Sequence, residues 1–156
     1  MVKLGSPSPS PSPDSEPEPR FQPSILPGRR EIRIYFEFEK LDVYQISLDF
    51  VVVADEITES LPRGRSYLKD QLRRAANSIP ANLAEGVGEF SPPEKVRFFR
   101  MSRRSAVECA SHLLVFRRLR LADDTLVDKG LEYLHRIVAM LTSLVKSVST
   151  RSEEDR

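Results

Sequence analysis

The chain has 156 residues, with 24 lysines and arginines against 23 aspartates and glutamates, so its formal net charge is +1. A balance this close to neutral gives no overall electrostatic case for nucleic-acid binding, and any such case must rest on local clusters of charge. No apolar run reaches the length of a membrane helix and the N-terminus lacks the apolar core of a signal peptide, so we expect a cytoplasmic protein.

Proline and serine dominate the start of the chain. Most of the 12 prolines lie within residues 1–30, where one stretch reads SPSPSPSP. This composition offers little apolar surface to bury, so we expect residues 1–30 to form a disordered tail. The next residues, EIRIYFEFEK over 31–40, alternate apolar and polar side chains, which predicts a strand-like segment or an extended arm. Residues 41–149 remain for one folded domain.

The first predicted helix, over about 42–61, has a marked beginning. Asp42 and Gln45 are spaced as a capping box, in which each side chain satisfies a backbone amide of the first turn. Apolar residues then recur at intervals of three and four, as they do along the buried side of a helix. These residues are Val43, Ile46, Phe50, Val53 and Ile57.

The second predicted helix, over about 66–86, contains a proline in its middle. Pro80 removes a backbone donor and clashes with the preceding turn at a cost of roughly 3 kcal/mol. The apolar spacing nevertheless continues on both sides of it. We therefore expect the helix to bend without ending, with Asn77, Ser78 and Asn82 satisfying the backbone groups that the proline frees.

Two further helices follow. Ser91 is placed as an N-cap, with prolines next and Glu94 at the third helical position, which predicts a helix over about 92–119. The last predicted helix, over about 123–148, carries two adjacent apolar stripes and leaves 150–156 as a charged tail. Four helices with short connections predict an all-α, antiparallel up-down-up-down four-helix bundle.

A stretch of the second helix, RRAANSIPANLAEG over 73–86, resembles the signature of the four-helix bundle proteins encoded in rRNA intervening sequences, also named the S23 ribosomal protein family. The matching residues are Ser78, Pro80, Asn82, Glu85, Gly86 and, further along the chain, Glu108. The resemblance covers about residues 38–148 and implies a bacterial-type bundle that assembles as a homopentamer. More distantly, the chain is similar to the accessory protein of diversity-generating retroelements, which works with a reverse transcriptase and nucleic acid.

The third predicted helix carries the main candidate binding feature. At about 100° per residue, four of its arginines fall within a stripe about 60° wide. They are Arg97, Arg100, Arg104 and Arg118. Guanidinium groups on one rigid face can follow a phosphate backbone, so the stripe predicts RNA or DNA binding through charge and shape. The alternative is a solvated helix face on which Arg104 pairs with Glu108 one turn later.

Two arginines of the signature are candidates of the same kind. Arg73 and Arg74 lie next to each other at its start and add positive charge. One interpretation gives them a contact with nucleic acid. The other interpretation, equally open, gives one of them a structural ion pair with Glu85 or Glu108.

Arg103 and Arg117 fall on the apolar side of the third helix, which is unusual for a charged side chain. Such residues either extend to solvent along their aliphatic stems or pair with an acid across the bundle. Glu85 is a candidate for that acid.

The sequence contains no constellation for catalysis or metal binding. The two histidines, His112 and His135, fall on different helices. Glu132 and His135 form one isolated E-x-x-H pair, whereas a di-iron bundle needs two such pairs and further glutamates. The single cysteine, Cys109, is expected to be a buried structural thiol in a reducing compartment. We expect no enzyme activity, cofactor, metal or small-molecule substrate.

Two functional hypotheses from different classes remain. The first is a non-enzymatic oligomeric bundle associated with nucleic acid, RNA or rRNA in particular, and the second is a protein-binding or scaffolding bundle without nucleic acid. Exposed arginines on the third helix would favour the first, and arginines neutralised by neighbouring acids would favour the second. Self-association is expected in both cases because the first and fourth helices carry apolar residues outside a single seam, and the alternative is a wide core. On the first helix a set of four residues lies outside the seam. These residues are Tyr44, Leu48, Val51 and Val52.

Overall fold

The computed structural model describes Gly5 and residues 33–154. The predicted tail over 1–30 lies outside the described residues apart from Gly5, as do residues 31–32 of the predicted arm and 155–156 of the predicted charged tail. The regular elements are a short 3-10 helix, Glu37–Lys40, and four α-helices: α1 (Asp42–Ser60), α2 (Ser66–Gly88), α3 (Pro92–Arg118) and α4 (Asp124–Glu154).

The four helices form a bundle in which each helix packs against two others. Contacts join α1 to α2, α2 to α3, α3 to α4 and α4 back to α1. Within residues 33–154, α1 makes no such contact with α3, and α2 makes none with α4. The predicted all-α four-helix bundle is therefore confirmed, and the order of contacts is compatible with the predicted up-down-up-down topology. No helix in this range combines the length and apolar composition needed to cross a membrane.

The core is built from the seams that the sequence predicts. All five seam residues of α1 are buried, and Phe50 and Ile57 are completely inaccessible. The other helices contribute side chains at the same spacing of three and four; the largest are Leu72, Ile79, Leu83, Leu113, Phe116, Leu134, Ile137 and Leu141. Burying each of these side chains contributes about 1.5–3 kcal/mol to folding.

Two glycines set how closely the helices approach. A Cβ atom added at Gly86 of α2 would lie 2.6 Å from Cε1 of Phe99 in α3. A Cβ atom at Gly130 of α4 would lie 2.8 Å from Cδ1 of Leu113, also in α3. The missing side chains therefore let α2 and α4 pack directly against the large residues of α3.

The second helix continues through its proline as predicted, and Pro80 is itself buried. The polar side chains around it bond to other carbonyls than expected. Asn77 and Ser78 donate to the carbonyls of Arg73 and Arg74 at 2.9 and 2.8 Å, and Asn82 donates to the carbonyl of Ser78 at 2.8 Å. Because Pro80 has no amide proton, the carbonyl of residue 76 lacks its usual donor within the helix. None of the three side chains bonds to that carbonyl, so the prediction named the wrong acceptors.

The predicted capping box at the start of α1 is wrong. The N-cap is Leu41, with extended backbone and no side-chain capping bond. Gln45 instead donates through Nε2 to the carbonyl of Glu39 at 2.7 Å. The reason is the preceding 3-10 helix, whose terminal carbonyls lie within reach of the first turn of α1 and take the side chain that would otherwise have closed the box.

The predicted strand over 31–40 is also absent from its described part. Residues 37–40 form the 3-10 helix, and Oε1 of Glu39 accepts hydrogen bonds from the amides of Tyr35 and Phe36 at 2.9 and 2.8 Å. Phe36 and Phe38 stack with ring centroids 5.2 Å apart, and Phe38 packs on Tyr44 of α1 at 4.9 Å. A strand needs a partner strand for its amides, whereas here a glutamate side chain satisfies them locally.

The other helix ends differ from the predictions in detail. Ser91 is the N-cap of α3, but its side chain makes no capping bond. Asp123 caps α4 by accepting a hydrogen bond from the amide of residue 126 at 3.1 Å. The last helix extends to Glu154, so residues 150–154 continue the helix where a charged tail was predicted. The helix can continue because this segment contains Arg151, Glu153 and Glu154, which are good helix formers, and no glycine or proline.

Candidate nucleic-acid interface

The rotation of α3 in the bundle decides which of its residues reach solvent. Its inward face carries seven buried residues: Val96, Phe99, Ser102, Ala106, Cys109, Leu113 and Phe116. Ser102 is completely buried and donates through Oγ to the carbonyl of Ile79 in α2 at 2.8 Å. A buried hydroxyl without this acceptor would cost about 1–3 kcal/mol, so the bond holds α3 in one rotational setting.

The four arginines of the predicted stripe all lie on the opposite, exposed face of α3. Arg97 is paired within its own helix, since its Nε atom donates to Oε2 of Glu94 at 2.9 Å. By accepting this bond, Glu94 raises the pKa of the Arg97 guanidinium above its ordinary value. Among residues 33–154, no carboxylate forms an ion pair with Arg100, Arg104 or Arg118. Three of the four guanidinium groups thus face solvent without a described acidic partner.

The exposed face also carries apolar side chains, concentrated in the second half of the helix. Val107, Leu114, Val115 and Leu119 are exposed by between 42% and 53%. We call these four residues the apolar half of the α3 face, and we call Arg97, Arg100 and Arg104 its basic half. Arg118 lies within the apolar half. The angular positions that define the arginine stripe also place Val107 and Leu114 beside it, so their common face was predictable from the helical period.

Arg73 of α2 forms ion pairs with two carboxylates of α1. It donates through Nη2 to Oδ1 of Asp55 at 3.2 Å and also bonds Glu59. These carboxylates, Glu59 foremost, raise the pKa of the Arg73 guanidinium. The structural pairing is therefore present, but its partners are on α1 and are not the predicted Glu85 or Glu108. Arg74, by contrast, is exposed.

The two arginines on the apolar side of α3 find partners on α4. Arg103 donates through Nη1 to Oγ1 of Thr142 at 3.2 Å. Arg117 pairs with Asp128, and its Nε atom lies 3.8 Å from Oδ1 of Asp124. Glu85, predicted as a partner, is exposed and forms no ion pair within residues 33–154. The error arose because side chains on this edge of α3 point toward α4, and Glu85 is on α2.

Glu108 does not pair with Arg104 as the alternative interpretation required. Its Oε1 atom lies 3.6 Å from Nε2 of His112, one turn along α3. The spacing of four residues permits either neighbour, and the structure favours the later one. Arg104 is consequently left available on the exposed face.

The residues considered for catalysis or metal binding are one buried thiol and an exposed Glu-His pair. Cys109 is fully buried, and burial raises the pKa of its thiol to about 12, so the nucleophilic thiolate is suppressed. Glu132 and His135 are exposed on α4. In the described part of the chain, no group of three or more His, Cys, Asp or Glu side chains is arranged to hold a metal ion.

The comparisons with known proteins agree with this architecture. A family model described as 23S rRNA-intervening sequence protein matches residues 39–143. The chain belongs to this family. The match runs from the 3-10 helix to the middle of α4, and it contains the signature of α2 and the arginine face of α3. A comparison with curated proteins finds no match.

A solved structure has the same fold. It is a protein of unknown function from the S23 ribosomal protein family of Bacteroides thetaiotaomicron. The two chains are 21% identical, and the match covers 67% of this chain and 98% of that chain with a TM-score of 0.62. At this identity the likeness supports the four-helix fold alone.

The family signature has a structural explanation in this chain. Gly86 makes room for Phe99, Ser78 and Asn82 bond to carbonyls of their own helix, and Pro80 is buried against the bundle. Gly86 and the buried Pro80 serve the packing of α2 in the bundle. Other positions of the signature reach solvent, since Glu85 and Arg74 are exposed, so the signature contains both packing residues and surface residues.

Proposed function

We propose that this protein is a non-enzymatic, oligomeric accessory protein of bacterial type that associates with RNA through the basic half of the α3 face. The observation that carries the proposal is the exposure of Arg97, Arg100 and Arg104 on one side of a rigid helix, two of them without a described acidic partner. The family's description as an rRNA-intervening sequence protein supports RNA as the partner.

The spacing of the basic half suits a phosphate backbone. The three arginines follow one another at three and four residues, which is about 4.5 and 6 Å along the helix axis. Each guanidinium offers a planar set of donors that matches the oxygens of a phosphate. Because no aromatic side chain interrupts this stripe, base stacking is not expected, and the expected binding depends on charge and shape.

Additional arginines extend the candidate surface. Arg74 is exposed on α2, next to α3 in the bundle, and Arg118 continues the stripe toward the end of α3. Arg73 contributes less, because Asp55 and Glu59 already neutralise it. In an oligomer, the homopentamer implied by the resemblance being one example, this surface would be repeated and its separate contacts would add in avidity.

The direct test is a titration of the 156-residue chain with RNA and duplex DNA over a series of salt concentrations. The test variant carries Arg97→Ala, Arg100→Ala and Arg104→Ala. Its matched control carries Lys129→Ala, Arg136→Ala and Lys146→Ala, three exposed positions of α4 that give the same change in net charge.

The expected result is binding that weakens with salt, is much weaker in the α3 variant and is kept in the α4 control. Each phosphate contact contributes about 0.7–0.9 to the slope of log affinity against log salt, so the α3 variant should lower that slope by about 2. Equal losses in the two variants would mean that net charge alone drives binding. No binding by the unmodified chain at low salt would overturn the proposal.

One observation favours a second candidate function, a protein-binding or scaffolding bundle. The apolar half of the α3 face exposes Val107 and Leu114 by 53% and 52%, side chains that a phosphate backbone does not require. Exposed apolar clusters on a soluble protein mark contacts with other proteins. This function predicts that Val107→Gln with Leu114→Gln weakens a protein contact and leaves nucleic-acid binding unchanged.

A further inference from the structure

An open polar groove lies between α2 and α3, next to the basic half of the α3 face. Its volume is about 260 Å³. A space of about 10–15 Å³ already holds a water molecule, so the groove has room for a group of several heavy atoms. We call it the α2–α3 groove. Two residues of α2 and four of α3 line it: Ser78, Asn82, Met101, Arg104, Ser105 and Glu108.

The α2 side of the groove offers hydrogen-bond acceptors. Ser78 and Asn82 are half-buried, and each donates to a carbonyl of its own helix at 2.8 Å. The donating atom of Asn82 is Nδ2, which fixes the orientation of the amide. Its Oδ1 atom accepts no hydrogen bond from residues 33–154. An acceptor held in a fixed place therefore borders the groove on this side.

The α3 side of the groove offers a hydroxyl group. Ser105 is half-buried, and its Oγ atom forms no hydrogen bond within the described part of the chain. A serine inside a helix can donate to the carbonyl one turn earlier, as Ser78 does in α2. Because Ser105 does not, its hydroxyl can both donate to and accept from a molecule in the groove.

The charges at the groove set the direction of a bound nucleotide. Arg104 and Glu108 lie one turn apart on α3 and do not pair with each other, since Glu108 lies against His112. A phosphate is attracted to Arg104 and repelled by Glu108. Arg104 also belongs to the basic half of the α3 face. A phosphate bound there would leave the neutral sugar that follows it beside the groove.

We infer that the α2–α3 groove binds the ribose of an RNA nucleotide and recognises its 2′-hydroxyl. The 2′-hydroxyl donates to Oδ1 of Asn82 and accepts from Oγ of Ser105, while Arg104 holds the adjoining phosphate. This inference rests on the proposed association with RNA and adds the feature that selects RNA. Contacts to the 2′-hydroxyl allow a protein to distinguish RNA from DNA, which lacks this group.

The sugar fits the groove better than a base does. None of the six lining residues is aromatic, so the groove has no ring on which a base could stack. A 2′-hydroxyl needs one acceptor and one donor, and Asn82 and Ser105 supply them from opposite sides. Affinity and selectivity are thus divided, with the arginines attracting any phosphate backbone and the groove favouring ribose.

The test compares two duplexes of the same sequence by fluorescence anisotropy with the 156-residue chain. One is RNA, and the other carries 2′-fluoro groups, which preserve the A-form helix and the phosphate charge but cannot donate a hydrogen bond. The unmodified chain should bind the RNA duplex about tenfold more tightly, as expected for two hydrogen bonds between neutral groups. A difference in helix shape cannot produce this result.

Single substitutions locate the preference. Ser105→Ala and Asn82→Ala should each reduce it to about threefold or less and leave the affinity for the 2′-fluoro duplex unchanged. Ser105→Thr retains a hydroxyl and should retain the preference. The matched control is Ser111→Ala, which removes an exposed hydroxyl of α3 outside the groove. Circular dichroism should show that each variant is folded, and Ser105→Ala removes no hydrogen bond of the described chain.

Two results would overturn the inference: equal affinity of the unmodified chain for the two duplexes, or a preference that Ser105→Ala and Asn82→Ala leave intact. The variant with Arg97→Ala, Arg100→Ala and Arg104→Ala separates this outcome from failure of the proposed function. If that variant binds both duplexes weakly while the unmodified chain binds them equally well, RNA association stands and the groove is wrong. If the unmodified chain binds neither duplex, both proposals are wrong.

Discussion

The inner and outer faces of α3 differ in how strongly neighbouring residues constrain their side chains. On the inner face, Ser102 bonds to a carbonyl of α2 and Phe99 fills the space left by Gly86, so each position allows few alternatives. On the outer face, Arg100, Arg104 and Val107 have solvent around them and no described partner that fixes their identity. The comparison teaches that packing positions such as Gly86 identify the fold, while function must be sought on residues that reach solvent.

The largest loss of stability is expected from a substitution at Gly86, which lies against the inner face of α3. Gly86→Val would place a branched side chain against Phe99, where even a Cβ atom comes within 2.6 Å of Cε1. Overpacking of this kind costs about 1–3 kcal/mol and more where the helices cannot separate. Urea unfolding should show the loss. Gly88→Val is the matched control, since a Cβ atom there meets nothing within 4 Å.

A smaller loss is expected when the polar link of the inner face is removed. Ser102→Ala deletes the donor to the carbonyl of Ile79, at a cost of about 0.5–1.5 kcal/mol, the net contribution of a typical hydrogen bond. Ser111→Ala, on the exposed side of the same helix, should change the unfolding free energy by less than about 0.5 kcal/mol. Equal effects of the two changes would mean that the Ser102 bond does not set the rotation of α3.

Burial of Cys109 on the inner face of α3 should make the stability of the protein depend on pH in alkaline solution. Because burial raises the pKa of Cys109 to about 12, the folded protein keeps the thiol proton above pH 9, where the unfolded chain releases it. The folded state then binds more protons, so stability falls with rising pH, by up to about 1.4 kcal/mol per pH unit, between about pH 9 and 12. Cys109→Ala should lack this contribution. Parallel pH profiles for both proteins would contradict it.

The smallest effect on stability is expected on the outer face. Changing Arg97, Arg100 and Arg104 together to alanine removes no buried contact, so the urea midpoint should stay the same while phosphate binding becomes much weaker. A large drop in the midpoint would show that these arginines are structural. Comparing the urea midpoint and the phosphate binding of this variant with those of Gly86→Val tests whether the packing residues and the binding residues lie on different faces.

Helix existence and core seams could be predicted because they depend on local spacing. Phe50 and Ile57 lie at helical spacing and were correctly predicted to be buried. The apolar spacing continues on both sides of Pro80, so the second helix was correctly predicted to continue through it. For residues 31–40 the sequence left a strand and an extended arm open, and the strand is absent from the described residues 33–40 for the converse reason. Alternation predicts a strand only where a partner strand exists, and Glu39 instead satisfies the amides of Tyr35 and Phe36.

The candidate site could be predicted in part. The angular positions of Arg100 and Arg104 follow from the helix itself, so their common exposed face was foreseeable. Ion-pair partners were not foreseeable in the same way. Arg73 pairs with Asp55 and Glu59, which are 18 and 14 residues away in sequence, and such distances are joined only by the packing of two helices.

By itself the sequence determined the four helices, the buried seam of each and the family, because these depend on periodicity and on a short local signature. Only the tertiary structure decided which charges are neutralised and which faces remain uncovered. Among the described residues it holds Arg117 against Asp128 and leaves Arg104 without an ion pair, and it places α1 and α3 at opposite corners of the bundle. The physical reason is that charge pairing and exposure depend on distances between helices, which no period along a single helix encodes.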